Sequence, residues 1–329
     1  MLLPVAALVG GILLLILSAD KFVEGAAATA RRAGLPPLLI GMVVIGFGSS
    51  MPEMVISGLS AWDGNPGLAI GNALGSNISN IALILGLTAV ISPIAVNSNV
   101  LKRELPMLAA ITLIAAFLLI WDRRLDLMDG WILIGVFAAV MGWSIYAGMN
   151  TPGDELAVAL DEQLSEPLSL SRALIYLVGG LVLLVLSSRI MVWGGVEIAH
   201  TLGISDLLIG LTVVAVGTSL PELASSIAAV RKNEHELALG NIIGSNMFNT
   251  SIVIGITGLI APTVLEPGVV VRDFPVMIVL TLLLFVMGFW FRGPNTGRIN
   301  RFEGALLLIG YVGYNIVLLI TAITTSATA

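Results

Sequence analysis

Two glutamates lie in long apolar segments and have closely similar neighbours in sequence. Glu53 ends the stretch GSSMPE, residues 48–53, and Glu222 ends the stretch GTSLPE, residues 217–222. A charged side chain at bilayer depth costs at least a few kcal/mol, so it persists only where it has a partner or a function. Because the same costly group recurs beside hydroxyls and a helix-breaking proline, the sequence predicts an ion site built from two repeats of one chain.

The composition sets the class of protein that must position these carboxylates. The chain is 57% hydrophobic and 11% charged, with a mean hydropathy of +1.02, whereas soluble domains are roughly 25% charged. Apolar runs of about twenty residues, enough to span ~30 Å of hydrocarbon, recur along its whole length. These runs predict ten transmembrane helices near 2–20, 37–61, 67–92, 105–121, 128–148, 171–196, 206–230, 237–261, 274–291 and 302–322.

Several function classes are disfavoured by the same composition. The chain has no cysteine, which excludes disulfides and thiolate metal sites. It has no basic cluster that could grip phosphates, so no nucleic-acid partner is expected. The first apolar run lacks a basic leading region and a clear cleavage site, so it is interpreted as a span and not as a cleaved signal. The bilayer is the expected environment, and neither a protein partner nor a bound cofactor is evident.

The two halves of the chain repeat each other at a constant offset of 169 residues. The block GNALGSNISN at 71–80 corresponds to GNIIGSNMFN at 240–249, and Gly34 and Gly41 correspond to Gly203 and Gly210. No gap is needed over some ninety residues. The chain therefore contains two copies of one unit.

Each copy holds five predicted spans, an odd number, so the second copy must enter the membrane inverted relative to the first. The loop charges agree with this inversion when the N-terminus is placed outside, because Lys and Arg concentrate on the cytoplasmic side. Eleven basic residues then lie inside, namely Lys21, Arg31, Arg32, Lys102, Arg103, Arg172, Arg231, Lys232, Arg292, Arg298 and Arg301. Four lie outside, namely Arg123, Arg124, Arg189 and Arg272.

The predicted organisation has three parts. A first five-helix repeat covers residues 1–149, a cytoplasmic linker covers 150–169, and a second, inverted five-helix repeat covers 170–329. The linker contains the acidic stretch 154–166. The fold class is thus an all-α membrane protein of the inner (plasma) membrane, with ten helices and with broken helices at mid-membrane.

Pro52 and Pro221 explain where those helices break. A proline lacks the backbone N–H and crowds the carbonyl one turn earlier. We therefore expect the carbonyls around Gly46 and Ala215 to be released from the helical ladder, and such backbone is tolerated at that depth only where protein or a polar cavity satisfies it. Inverted repeats with helices broken near the midplane are typical of secondary transporters.

The side chains near the breaks form one chemical set. Hydroxyls lie three and four residues before each glutamate, and a serine lies four residues before an asparagine in each neighbouring span. The candidate ion ligands are Glu53, Glu222, Ser49, Ser50, Thr218, Ser219, Ser76, Ser245, Asn80 and Asn249, with the carbonyls of Gly46 and Ala215. An all-oxygen set suits Ca²⁺ or Na⁺ better than zinc or copper. Two glutamates can neutralise one Ca²⁺ or two Na⁺, so these ions would compete for one site.

The paired GSSMPE/GTSLPE and GNALGSNISN/GNIIGSNMFN blocks resemble the two α-repeats of the cation/Ca²⁺ exchanger superfamily. Within it, the chain is most similar to prokaryotic Na⁺/Ca²⁺ exchangers, over nearly its whole length. The resemblance implies alternating access, with Na⁺ entry driving Ca²⁺ extrusion and no enzymatic activity. It also implies that the family's ion ligands correspond to the twelve positions given above.

Asn249 bears on the choice of coupling ion. Some members of the resembled family carry Asp at this position, a difference linked to which ions are co-transported. Asn at both 80 and 249 argues against a K⁺-dependent mode. Proton-coupled relatives usually have a further acidic residue in the glycine-asparagine block, and its absence here favours Na⁺ over H⁺.

Other interpretations remain open at this stage. The same fold could exchange H⁺ for Ca²⁺, or the oxygens could line the pore of a cation channel. An intramembrane protease using two carboxylates is disfavoured because both are glutamates beside prolines. Asn72 and Asn241 suit either a supporting or a helix-packing role and are left out of the predicted site, and the glycines at 71, 75, 240 and 244 suit close helix packing.

Overall fold

The computed structural model of this chain describes residues 2–33, 37–96, 103–149, 168–201, 215–289 and 297–328. In the first half, the helices are α1 (Leu2–Ala33), α2 (37–49), α3 (Met51–Trp62), α4 (Pro66–Ile91), α5 (Leu105–Trp121) and α6 (Leu127–Met149). In the second half, they are α7 (Leu170–Thr201), α8 (Ala215–Thr218), α9 (Leu220–Arg231), α10 (His235–Ile260), α11 (269–289) and α12 (Arg301–Thr328). Four short strands are β1 (Ile94–Val96), β2 (Arg124–Leu125), β3 (Thr263–Val264) and β4 (Gly297–Ile299).

The described helices make this chain a multi-pass membrane protein. Seven of them are long and apolar enough to cross a bilayer, and the bent pair α2 and α3 adds an eighth candidate. Of the remaining predicted spans, α5 is apolar but has only 17 residues. The predicted span 206–230 is described only from residue 215, and the acidic stretch 154–166 lies outside the described residues.

Helices α4 and α10 form the centre of the molecule. They are largely buried, whereas α1, α7 and α12 present most of their surface outward, as expected for helices facing lipid. Helix α1 runs thirteen residues past the predicted end at residue 20, because the alanine-rich continuation AAATARRA at 26–33 favours helix. The last described residue of α1 is Ala33, and Gly34 and the proline pair at 36–37 follow it in the sequence.

Helices α1 and α7 correspond at the 169-residue offset, and they pack against each other closely. A Cβ added at Gly180 would lie 2.6 Å from the backbone nitrogen of Phe22, and one added at Gly11 would lie 2.9 Å from the Cβ of Met191. Phe22 and Met191 are themselves related by the offset. The contacts are therefore reciprocal, and since early residues of α1 meet late residues of α7, the two helices run antiparallel.

A second set of glycine contacts brings α2 against α10. An added Cβ at Gly41 would lie 2.7 Å from the carbonyl oxygen of Leu237, and one at Gly244 would lie 2.4 Å from that of Met42. The predicted packing role therefore holds for Gly244. It does not hold for Gly71 and Gly75, where no described atom lies within 4 Å of an added Cβ.

The break between α2 and α3 is a bend of 50°. Ser50 sits at the bend with φ −81° and ψ 3°, and Ser219 adopts φ −87° and ψ 6° between α8 and α9. In each case a proline follows within two residues, where its fixed φ starts the next helix and its missing N–H is tolerated. The two halves thus break at corresponding positions.

The prediction that the Gly46 carbonyl is released from helical hydrogen bonding is wrong. The backbone N–H of Ser50 donates to this carbonyl at 3.0 Å, so the helical ladder continues to the bend. The reason is one of register: a proline at 52 removes the hydrogen bond to residue 48, four positions earlier, and not the one to residue 46. A carbonyl oxygen has a second lone pair, so Gly46 keeps capacity for another partner.

The loops form two short strand pairs that the sequence analysis does not predict. Strand β1 pairs antiparallel with β4, and β2 pairs antiparallel with β3. Each pair joins a loop of the first half to a loop of the second half. The strand pairs therefore tie the two halves together outside the helix bundle.

The contact at Gly180 gives a stability prediction. Gly180→Ala should destabilise the protein by about 1–3 kcal/mol, because the new methyl group would overpack against the backbone of Phe22. Gly179→Ala is the matched control, since no described atom lies within 4 Å of a Cβ at this neighbouring position. Thermal unfolding in detergent should show a lower Tm for the first variant only. Equal Tm values would contradict the close approach of α1 and α7.

Candidate cation site

The predicted ligands come from two pairs of elements that meet inside the molecule. The breaks α2/α3 and α8/α9 supply the two glutamates and their hydroxyl neighbours, and α4 and α10 supply the serines and asparagines. Helix α10 packs against α2 and α9, and α4 packs against α3 and α8. The structure therefore brings the two motif copies together at one place.

The side chains of this cluster are almost completely buried. Glu53 is 0% and Glu222 1% exposed. The other buried members are Ser49, Ser50, Ser76, Asn80, Thr218, Ser219, Ser245 and Asn249. Gly46 is also buried, and Ala215 begins α8 one turn before Ser219. Burial of this many polar groups requires that each finds a partner.

One direct hydrogen bond links the two halves at the glutamates. The hydroxyl of Ser50 donates to Oε1 of Glu222 at 3.0 Å, while Thr218 lies beside Glu53. The two glutamates are near enough for their charges to repel each other. A site that gathers two buried carboxylates favours a cation between them.

Several oxygen atoms of the cluster have no hydrogen-bond partner among the described residues. Both carboxylate oxygens of Glu53 and Oε2 of Glu222 belong to this set. So do Oγ of Ser219 and Oδ1 of Asn80 and Asn249. An unpaired buried polar atom costs about 1–3 kcal/mol, and more when it is charged. The accumulation of such oxygens is best explained by coordination of a cation.

The remaining predicted ligands make contacts inside the protein. The hydroxyl of Ser49 donates to Oδ1 of Asn241 at 3.0 Å and lies 3.4 Å from the carbonyl oxygen of Gly46. The hydroxyl of Ser245 lies 3.5 Å from the same carbonyl. Since a hydroxyl has one proton and two lone pairs, Ser49 can give its proton to Asn241 and still present oxygen lone pairs to a cation.

Both site asparagines lie on π-helical stretches. Asn80 falls within Ser79–Leu85 of α4, and Asn249 falls within Phe248–Val253 of α10. A π-helical turn contains one more residue than an α-helical turn, and such turns occur frequently at functional sites. The local widening occurs at corresponding positions of both halves, so it belongs to the repeated unit.

Asn241 is a supporting residue that the sequence analysis left outside the site. Its amide nitrogen donates to the carbonyl of Glu222 at 3.1 Å and to the hydroxyl of Ser226 at 2.9 Å, and its oxygen accepts from Ser49. It therefore ties α10 to α9 and to the end of α2. The corresponding Asn72 makes the equivalent of the second bond, to Ser57 at 3.0 Å.

Asn246 and Asn77 were also missed as supporting residues. The amide of Asn80 donates to Oδ1 of Asn246 at 3.0 Å, and the amide of Asn77 donates to Oγ1 of Thr250 at 2.7 Å. All of these asparagines lie in the repeated glycine-asparagine block. The recurrence of that block in both halves marked these asparagines as candidates. It did not distinguish the predicted ligands from the residues that hydrogen-bond to them.

The donor set excludes some metal chemistry. The described residues contain no group of three or more His, Cys, Asp and Glu side chains that could hold a metal ion. Neutral oxygens supply most of the cluster, with two carboxylates. Oxygen ligands of this kind suit hard cations and not copper or zinc.

Comparison with known proteins agrees with this chemistry. The family model described as sodium/calcium exchanger protein matches residues 3–146 and again 172–320, so the two matches begin 169 residues apart. CaxA of Alkalimonas amylolytica is 45% identical over 94% of this chain and 96% of its own length. The inner membrane protein YrbG of Escherichia coli strain K12 is 39% identical over 95% of each chain.

The fold is also similar to a solved structure. The sodium-calcium exchanger NCX_Mj, soaked with 2.5 mM Na⁺ and 0.1 mM Ca²⁺, superposes with a TM-score of 0.81 at 33% identity. The alignment covers 95% of this chain and 97% of that one. Two matched repeats, full-length relatives and a shared fold point to one conclusion: this chain belongs to the sodium/calcium exchanger protein family.

Proposed function

We propose that this protein is a secondary antiporter that exchanges Na⁺ for Ca²⁺ across the membrane. The observation that carries the proposal is the buried cluster in which oxygens of both carboxylates lack partners among the described residues. Two carboxylates supply a charge of −2, which one Ca²⁺ or two Na⁺ neutralise. Because the ions need the same oxygens, binding of one set excludes the other. Ca²⁺ extrusion driven by Na⁺ entry is the expected direction.

The proposed ion ligands are the twelve positions predicted from the sequence. The carboxylates of Glu53 and Glu222 are shared among the ions, and the other ligands complete their coordination. These others are Ser49, Ser50, Ser76, Asn80, Thr218, Ser219, Ser245, Asn249 and the carbonyls of Gly46 and Ala215. Ca²⁺ takes six to eight oxygen ligands in flexible geometry, which a site built from four separate elements can supply.

The proposed architecture is ten spans in two inverted five-helix repeats, 1–149 and 170–329, joined by the cytoplasmic linker 150–169. The antiparallel packing of α1 against α7, which correspond in the two halves, supports the inversion. The Lys and Arg distribution supports an N-terminus outside the inner membrane. Such repeats allow access to alternate between the two sides while the central site stays in place.

The coupling ion is proposed to be Na⁺. Asn249 is fully buried and neutral, so the site lacks the third carboxylate that a K⁺-dependent mode favours. The alternative is H⁺/Ca²⁺ exchange, which the two unpartnered oxygens of Glu53 allow because a carboxylate can take up a proton in place of a cation. A cation channel is disfavoured, since the described ligands are enclosed in protein.

The inverted topology can be tested because the chain has no native cysteine. Single cysteines at Asn65 and Asn233, in the corresponding tips after α3 and α9, leave the number of Lys and Arg residues unchanged. A membrane-impermeant maleimide should label Asn65→Cys on intact cells and label Asn233→Cys only after permeabilisation. Labelling of both positions from one side would contradict the inversion, and the reverse pattern would place the N-terminus inside.

The coupling ion can be identified by ⁴⁵Ca²⁺ uptake into proteoliposomes. Vesicles loaded with Na⁺ and diluted into Na⁺-free medium should accumulate ⁴⁵Ca²⁺, whereas a pH gradient without Na⁺ should not drive uptake. Protein-free vesicles are the control. Uptake driven by the pH gradient alone would show that the coupling ion is H⁺ and not Na⁺. Rapid uptake with no counter-ion would instead indicate a channel.

The role of the glutamates can be tested by removing one charge at a time. Glu53→Gln or Glu222→Gln should reduce Na⁺-dependent ⁴⁵Ca²⁺ uptake by about 100-fold or more, because each removes half of the charge that neutralises Ca²⁺. Glu266→Gln, at an exposed position, makes the same chemical change and should transport normally. Size-exclusion chromatography and circular dichroism check folding. Near-normal uptake by either site variant would remove the basis of the proposed site.

A further inference from the structure

An asparagine serves as a cation ligand only when its oxygen, and not its NH₂ group, faces the ion. The two ends of the amide have nearly the same shape, so burial alone does not select between them. Selection requires a neighbour that accepts a hydrogen bond from the nitrogen. Asn80 and Asn249 are both proposed ligands, and this requirement therefore applies to each of them.

Asn80 has such a neighbour. Its amide nitrogen donates to Oδ1 of Asn246, in the other half of the molecule, at 3.0 Å. Its own oxygen has no partner among the described residues. Asn80 is 1% and Asn246 2% exposed, so water does not compete freely for this bond. With the nitrogen held by Asn246, the oxygen of Asn80 is left available to a cation.

The related positions do not share this arrangement. Neither amide atom of Asn249 has a hydrogen-bond partner among the described residues. Asn77, which corresponds to Asn246, donates to Thr250 at 2.7 Å and to the sulfur of Met277 at 3.2 Å, and within the described part of the chain it forms no hydrogen bond with Asn249. The bond between Asn80 and Asn246 is thus specific to one half of the site and does not follow from the repeat alone.

We propose that Asn246 is a positioning residue that fixes the amide of Asn80 with its oxygen toward the bound cation. The inference rests on the proposed function, because it assigns Asn80 to the cation site. Asn246 acts through Asn80 and needs no contact with the ion. Residues that orient metal ligands in this way typically change metal affinity by about 10- to 100-fold when they are replaced.

The test compares Asn246→Leu in two backgrounds. In the otherwise native chain it should raise the apparent KM for Ca²⁺ by about 10-fold with a smaller change in maximal rate, since the Asn80 amide is then free to turn its NH₂ group inward. In an Asn80→Asp background the same substitution should change the KM by less than about 2-fold. A carboxylate presents oxygen whichever way it turns, so the coupling between the positions vanishes.

Two further variants separate positioning from packing. Asn246→Asp keeps an acceptor for the Asn80 nitrogen and should keep the KM for Ca²⁺ at or below the native value. Asn77→Leu removes an equally buried amide from the corresponding position, and any effect it has should be the same in both backgrounds. Thermal unfolding of each purified variant reports the purely structural cost.

Equilibrium ⁴⁵Ca²⁺ binding to the purified full chain gives the same comparison without turnover, so an inactive but folded variant is still informative. Equal losses of Ca²⁺ affinity from Asn246→Leu in both backgrounds would overturn the inference. A loss with Asn246→Asp as large as that with Asn246→Leu would overturn it as well. If native protein binds Ca²⁺ but Na⁺ does not drive uptake, only the coupling ion of the proposed function is wrong, and the binding comparison still decides the role of Asn246.

Discussion

The neutralisation of two buried carboxylates is the constraint on which the rest of the structure depends. Glu53 and Glu222 are almost completely enclosed, and in a low-dielectric interior their charges are strongly unfavourable unless a cation or a proton compensates them. Hydroxyls, amides and carbonyls from four elements supply the additional oxygens. The helix breaks beside Pro52 and Pro221 place those groups where uninterrupted helices would turn them away from one another.

Close backbone approach is the second requirement, because short side chains reach a common point only if their helices nearly touch. Gly41 and Gly244 remove the Cβ atoms that would otherwise separate α2 from α10. The hydroxyl oxygen of Ser49 on α2 consequently lies 3.0 Å from Oδ1 of Asn241 on α10. The glycines therefore determine how closely the polar side chains of the two helices can approach each other.

The repeated motifs made the buried polar cluster predictable, since each candidate residue type occurs twice at the same offset beside a proline or within the glycine-asparagine block. Their supporting partners were not predictable. Which amide meets Asn80 or Ser49 depends on the distance between helices from different halves, and no sequence period encodes that distance. The prediction that the Gly46 carbonyl is released was wrong for a simpler reason. A proline frees the carbonyl four residues before it, which for Pro52 is that of Gly48. The strand pairs link loops far apart in sequence, beyond the reach of local patterns.

The two halves have corresponding motifs in sequence but make different hydrogen bonds. Ser50 donates to Glu222, whereas Ser219, its counterpart, has no hydrogen-bond partner among the described residues. A chain with two corresponding halves has two possible hydrogen-bond arrangements. In one, the serine of the first half donates to the glutamate of the second half, and in the other the roles of the halves are exchanged. One conformation can adopt only one of them, and in the proposed antiport mechanism the exchanged conformation is the one that opens the site to the opposite side. The different hydrogen bonds of the two halves are therefore consistent with the proposed inverted repeat, in which access alternates between two conformations.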